Sequence, residues 1–248
     1  MDLPRSFTIR ESSHRILNPF TDEKLATLGR ALHLAPGTRM LDLACGKGEM
    51  LCTWAAAHRV TGTGVDISSD FIGAASARAA ALGVADQVTF LHDDAASHAA
   101  TDPVDVASCI GATWIGGGVA GTVELLRRSL RPGGTMLVGE PYWRREPPDQ
   151  AAVEGSMATS KDEFRSLPAL IEQFGELGVD VVEMVLADQD SWDRYVAAQW
   201  LNIRRWLDRN PDDELAEQMR AELTTAPVRY ARYQRDYLGW GVFVLMDR

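Results

Sequence analysis

Cysteine is scarce in this chain, with three residues (Cys45, Cys52 and Cys109) in 248. The number is odd and no pair has metal-ligand spacing, which argues against a disulfide framework and a zinc cluster. A reduced, cytoplasmic protein without a metal is the expectation. Long apolar runs are missing too. No stretch of about 18 apolar residues exists to cross a bilayer, and the opening Met1-Asp2-Leu3-Pro4-Arg5 has no apolar signal-peptide core. Basic charge is in deficit, with 25 Lys and Arg against 35 Asp and Glu and a net charge of −10. No basic stripe offsets that deficit, so neither nucleic acid nor an anionic membrane is expected as a partner. Internal repeats and low-complexity segments are likewise absent.

What is present is the composition of an ordinary globular protein, 46% apolar and 24% charged, long enough for one α/β domain over 1–248. Leu25, Leu28 and Leu32 fall on one face of a helix over 20–34, closed by Pro36-Gly37. Strands are then expected near 39–44, 60–66, 87–92, 104–110 and 134–140. Helices are expected near 48–57, 69–82, 119–130 and 160–176. Pro132-Gly133-Gly134 reads as a turn before the fifth strand, and Ser160-Lys161-Asp162-Glu163 as a capping box starting the helix after it. This alternation predicts a doubly wound, mostly parallel sheet. Val179–Leu186 and Trp240–Met246 add two strands, the last antiparallel, to make seven. About fifty helix-rich residues lie between those two strands, with Asn210-Pro211-Asp212-Asp213 and Pro227 as helix starts. The chain thus divides into a helical cap over 1–35, a cofactor-binding core over 36–140 and a helical lid over 187–238. The lid and the irregular stretch 141–159 leave from the carboxyl edge of the sheet, and both are expected to roof the site.

The densest signal is Met40-Leu41-Asp42-Leu43-Ala44-Cys45-Gly46-Lys47-Gly48-Glu49, followed by Thr63-Gly64-Val65-Asp66-Ile67. A glycine turn after one strand and a lone acid after the next put a nucleoside-bearing ligand across neighbouring strand tips. A dinucleotide fingerprint needs a third glycine where this chain has Leu51. Asp42, inside the first strand tip, would oppose a pyrophosphate and suits a cation. Asp93-Asp94-Ala95 adds acid at the same edge. A nucleoside carrying positive charge fits these residues, and S-adenosylmethionine (SAM) is one.

These segments resemble the motifs of the class I SAM-dependent methyltransferases. Leu41–Gly48 is similar to their first motif, Gly64-Val65-Asp66 to the second and His92-Asp93-Asp94-Ala95 to the third. Leu130-Arg131-Pro132-Gly133-Gly134-Thr135-Met136-Leu137 is similar to the turn and strand that precede their substrate side. Over its whole length the chain resembles a group of bacterial methyltransferases through Arg10–Arg15, Gly111-Ala112-Thr113-Trp114 and Gly139-Glu140-Pro141-Tyr142-Trp143. The resemblance implies SAM as methyl donor and S-adenosylhomocysteine (SAH) as product. It implies that Gly46 and Gly48 admit the methionine part, with Asp42 toward its cationic end. Asp66 would accept both ribose hydroxyls, and Asp94, with Asp93 as second choice, would hold the adenine amino group. Ile67, Ala95 and Cys109 flank these positions at the strand tips and complete the expected contacts. Ala44 departs from the pattern, which usually has glycine there.

Each acid keeps an alternative role. Asp66 could cap the helix after Ser68, Asp42 could be a turn acceptor, and one of Asp93 and Asp94 could simply be solvated. Methyl transfer requires donor and nucleophile held in contact away from water, and a base only if the acceptor still carries its proton. Glu140 is the first candidate for an acid, base or acceptor-orienting group, its alternative being a carboxylate satisfied by a nearby Arg or the backbone. His14 is the second, as a base or a contact to the methionine carboxylate, its alternative a helix cap or surface residue. The fourth strand lacks the Asn/Asp-Pro-Pro-aromatic signature, which argues against DNA bases and glutamine as acceptors. Four of seven Trp and four of five Tyr follow residue 190. Trp114, Tyr142, Trp143, Arg144, Trp192 and Tyr233 are therefore the candidates for a substrate wall around a flat small molecule, against the alternative of helix packing. The expectation is a methyltransferase of a small molecule, monomeric or homodimeric. Its rivals are a catalytically silent SAM-binding regulator or scaffold and, more distantly, a nicotinamide oxidoreductase.

Overall fold

The computed structural model describes residues 3–248. Met1 and Asp2, the first two residues of the opening examined for a signal core, lie outside the described residues. Seven strands, β1 (Arg39–Leu43), β2 (Thr61–Asp66), β3 (Val88–His92), β4 (Val104–Ile110), β5 (Leu130–Trp143), β6 (Val179–Leu186) and β7 (Leu238–Asp247), form one sheet. Its order is β3-β2-β1-β4-β5-β7-β6, with β7 antiparallel to both neighbours and every other pair parallel. The helices are α1 (Arg5–Arg10), α2 (Asp22–Ala31), α3 (Glu49–His58), α4 (Ser69–Ala81), α5 (Val119–Arg127), α6 (Gln150–Gly155), α7 (Leu167–Glu176), α8 (Gln189–Arg209), α9 (Ala216–Arg229) and the short α10 (Arg235–Tyr237). Among the described residues no helix is long and apolar enough to cross a membrane.

β1 reads Arg-Met-Leu-Asp-Leu and buries its last four residues, as a central parallel strand covered on both faces must. On one face of the sheet, α5 and α7 bring Val123, Leu126, Leu170 and Phe174 against Leu41, Leu43 and Phe243. On the other, α2, α3 and α4 bring Leu25, Leu28, Leu51, Trp54 and Ala79 against Met40, Val106 and Val242. Thr21 and Ser68 cap α2 and α4 through the N–H groups of Lys24 and Phe71, so the helices that flank the site begin where the side chains dictate.

Four local readings change. Pro132-Gly133-Gly134 interrupts β5 rather than preceding it. The β4 register jumps between Val104 and Val106, and Gly133 takes φ +72°, so the turn chemistry is absorbed as a bulge. Ser160 starts only a single turn, Lys161–Glu163, because Phe164 returns to extended backbone and the chain crosses the end of β5, where Trp143 N–H donates to Arg165. The helix starts instead behind Ser166, whose hydroxyl takes the Ala169 N–H. Asn210 ends α8 rather than starting α9, its amide donating to the Trp206 carbonyl. Pro227 sits in the last turn of α9, not at a helix start. It has no N–H to offer the preceding turn, and a π turn over Tyr230–Gln234 follows.

Candidate active site

Strand order reverses between β1 and β4, and the tips of these two strands with that of β2 open a cavity of about 500 Å³. Its floor is the loop after β1. Ala44, Gly46 and Gly48 all take left-handed backbone, at φ +56°, +54° and +67°. For alanine this conformation costs about 1–2 kcal/mol, so the loop accepts strain at the position where the resembling family carries glycine. The Asp66 carboxylate braces the loop from β2. Oδ2 accepts the Gly46 N–H at 2.8 Å and Oδ1 the Ser68 N–H at 2.9 Å. Burial raises the Asp66 pKa, and these backbone donors oppose the rise. Asp42 is also buried, its Oδ1 accepting the Ser108 hydroxyl at 2.7 Å. Desolvation raises it to about 7, with the Asp66 charge adding to the effect.

Ile67, Asp94 and Ala95 continue the wall on the β3 side. Asp94 Oδ1 accepts the Ala96 N–H, while Asp93 does not line the cavity and accepts the Asp94 N–H. On the β4 side the wall is Ile110, Gly111, Ala112, Trp114 and Ile115, with Trp114 73% exposed at the mouth.

The remaining wall is one that sequence reasoning did not assign, the N-terminal segment 3–25. Leu3, Phe7, Ile16, Leu17, Asn18 and Phe20 face the strand tips. Lys47, between the two loop glycines, fastens this strap: its ammonium donates to the carbonyls of Glu11 and His14, both at 2.7 Å. Burial lowers the Lys47 pKa. From outside, α8 holds the same segment. Gln199 donates to Glu11 Oε1 at 2.7 Å, Asn202 to the Arg10 carbonyl at 2.7 Å, and the Tyr195 hydroxyl lies 3.0 Å from the Leu17 carbonyl. Arg5 and Arg10 pair with Asp213 and Glu222. The insertion over 187–238 therefore contributes no residue to this cavity; it buttresses the strap that does. The advance signals for this segment were the family-like Arg10–Arg15 stretch and His14, and neither pointed to the apolar residues that line the cavity.

Several expected site residues lie elsewhere. Gly48 begins α3, and its missing side chain makes room for Phe90 and Ala75, which an added Cβ would meet at 2.6 and 2.8 Å. Cys109 is fully buried in β4, where desolvation pushes its thiol up. Glu140 sits behind the cavity wall, Oε2 accepting the Thr113 hydroxyl at 2.7 Å, and burial raises its pKa to about 7. Neither the Arg nor the backbone partner considered for it is the group that satisfies it. Trp143 donates its indole N–H to the Lys161 carbonyl and packs on Phe164. Tyr142 is buried beside Gly239, Tyr233 covers Gly155, Arg144 bonds Gln189, and Trp192 packs between two apolar clusters. None of these five lines the cavity: β5 carries Tyr142, Trp143 and Arg144 past the switch point, Trp192 lies on α8 and Tyr233 in the π turn after α9, and the aromatic wall is not assembled there. His14 is 2.9 Å from Glu11 and stacks near Tyr195, facing a second cavity of about 450 Å³ on the outer side of the strap. Among the described residues no group of three or more His, Cys, Asp or Glu converges where a metal could bind.

Comparison with known proteins bears on this geometry. A methyltransferase-domain family model matches residues 40–134, which run from β1 into β5. The chain is 63% identical to a SAM-dependent methyltransferase of Geobacter sulfurreducens, crystallised in complex with S-adenosyl-L-homocysteine. That match has a TM-score of 0.98 and covers 100% of this chain and 99% of that one. It is 60% identical to a SAM-dependent methyltransferase of Thiobacillus denitrificans in complex with the same molecule, with a TM-score of 0.98 over 100% of both chains. It is 58% identical to the uncharacterised protein YjhP of Escherichia coli strain K12 over 100% of both chains.

Proposed function

The chain belongs to the SAM-dependent methyltransferases, and from that premise we propose that it transfers the methyl group of SAM to a small-molecule acceptor. The observation that carries the reading is the acid-lined cavity at the strand-order switch point, floored by a left-handed loop. Its donor set fits a cationic nucleoside. Asp42, Asp66 and Asp94 stand along one edge, from β1 to the turn after β3, and the Gly46 N–H of the loop is already taken by Asp66 rather than left for a pyrophosphate. SAM supplies an activated methyl on a sulfonium, whose leaving group needs no help from the protein.

The residues of the chain then have three tasks. Asp66 receives the ribose hydroxyls with the lone pairs that its two backbone bonds leave free, and Asp94 receives the adenine amino group. Gly46 leaves the loop without a side chain; a Cβ there would come 2.9 Å from Leu17. Asp42, in the wall beneath the loop, offsets the positive charge of the amino-acid end. The strap, with Leu17, Phe20 and Phe7, excludes water and so strengthens each of these contacts. Glu140 is assigned no proton transfer; it holds Thr113, the first residue of the turn that carries Trp114 and Ile115 to the cavity.

A half-open cavity of about 500 Å³ with a second one beside it favours an enzyme over a silent SAM-binding regulator, which needs no room for an acceptor. A cytoplasmic location without nucleic-acid or membrane partners belongs to the same proposal, supported by the net charge of −10 and the three free cysteines. The experiment is transfer from methyl-labelled SAM into a small-molecule extract, read by mass spectrometry. Label in a discrete small metabolite is expected, whereas label only in macromolecules overturns the small-molecule acceptor.

A further inference from the structure

Asn18 stands in the strap where the two cavities meet, and it lines both, together with Arg15, Ile16 and Phe20. Its amide Nδ2 donates to the Ile110 carbonyl at the tip of β4, at 3.3 Å. The amide occupies the space left by the side chain that Gly111 lacks: a Cβ on Gly111 would lie 2.1 Å from Asn18 Oδ1. Gly111 itself takes φ +78°. A glycine and a left-handed turn thus make a seat for one amide, held by its nitrogen. Its oxygen, the amide atom set against Gly111, accepts no hydrogen bond from the described residues and is not among their wholly buried unpaired atoms, so its lone pairs are free for a ligand at the cavity wall.

The position of this oxygen follows from the sheet. Asp94 follows β3, Asp66 ends β2, the left-handed loop follows β1, and Gly111 follows β4, in that spatial order. Neighbouring strands are about 4.8 Å apart. A donor laid with its adenine at Asp94 and its ribose at Asp66 therefore crosses β1 and brings its sulfonium end toward β4. The other polar groups of that wall are committed. Asp42 is bonded to Ser108, Asp66 to two backbone N–H groups, and Glu49 to Arg78 through two 2.8 Å bonds. Lys47 is held by strap carbonyls.

We infer that Asn18 Oδ1 stands beside the transferred methyl and meets the acceptor there, within reach of an amine set in the methyl's place, and takes a hydrogen bond from the nucleophilic atom that turns its lone pair toward the sulfonium. This rests on the methyltransferase reading and names the acceptor class: an uncharged amine or hydroxyl that still carries hydrogen, not a thiolate or carboxylate. The S–CH3 bond breaks with its electron pair kept by sulfur, and a bond from the acceptor's N or O to the methyl carbon forms. The acceptor's proton passes to water, since an amide oxygen does not take it.

The test uses two probes that share the adenosine and amino-acid ends. SAH has nothing in place of the methyl, and sinefungin carries an amine there. Both are titrated by calorimetry into the wild-type protein, Asn18→Ala and Asn18→Asp. Asn18→Ala is expected to weaken sinefungin about tenfold, the scale of one hydrogen bond to a charged amine, and to leave SAH within about twofold. Asn18→Asp, which offers an anionic oxygen at the same place, is expected to restore sinefungin binding. The inference is overturned if the ratio of the two affinities is unchanged in Asn18→Ala, or if SAH weakens as much as sinefungin, which would put Asn18 at the shared amino-acid end. Failure of the wild-type protein to bind SAH overturns instead the reading beneath it.

Discussion

The two sides of the cavity are built differently. The sheet side is backbone: three strand tips and a loop whose left-handed residues and N–H groups are tied together by Asp66. The strap side is side chains, drawn from residues 3–25 and pinned by Lys47 within and by Tyr195, Gln199 and Asn202 without. Backbone geometry set by a buried parallel sheet has no alternative arrangement of similar energy. A segment held by a few polar contacts opens at much lower cost than the whole domain. A rigid half for a constant donor and a releasable half for entry and exit is the division this predicts.

The largest test of that contrast falls on the sheet side. Asp66→Ala removes the acceptor for two backbone N–H groups as well as the proposed ribose ligand. SAH affinity is expected to fall about a hundredfold by calorimetry; unchanged affinity would remove Asp66 from the site. At the joint between the halves, Lys47→Met leaves the Glu11 and His14 carbonyls without their donor. Limited trypsin digestion should then cut faster after Arg10 and Arg15, and SAH should weaken about tenfold, with the thermal midpoint of the sheet core nearly unmoved. If cleavage does not accelerate, the strap is no looser than the sheet and the contrast fails. The smallest effect is sought behind the wall. Glu140 has a pKa raised to about 7, so its contribution to stability is full below its ordinary carboxylate range and is lost as pH rises through about 7. Glu140→Gln keeps an acceptor for Thr113 without the charge. Urea midpoints should show the variant gaining on the wild type by about 1–2 kcal/mol between about pH 5 and about pH 8, with SAH binding unaltered. An equal pH dependence in both would mean that Glu140 ionises as if exposed.

The same division decides what could be read from the chain before folding. Gly46, Asp66 and Asp94 were legible because a strand–turn–helix unit fixes a local geometry that only certain residues tolerate, and all three line the cavity. The strap was legible as a cap with a family-like Arg10–Arg15 stretch, but not as a wall of the cavity. Asn18 meets Gly111 and Lys47 meets His14 across long stretches of chain, through contacts any polar pair could make. The late aromatics show the reverse error. Trp192 and Tyr233 follow helical spacing and sit near the right edge in outline, but the register of β7 against β5 carries Tyr142 and Trp143 past the switch point into apolar clusters. Pro227 and Ser160 misled for a smaller reason: each has the composition of a helix start, and neighbouring packing moved the start elsewhere.

β7 carries a consequence for synthesis. It follows every other strand in the chain yet lies between β5 and β6, bonded to both. While the ribosome is still upstream of Leu238, the growing chain holds two strands with their inner edges bare, β5 among them with eight residues waiting for partners on β7. Open edges of that kind recruit foreign strands. The protein is thus most exposed to misassembly before β7 is made, when the strands of the cofactor half are already in place and β7 has still to be inserted between β5 and β6.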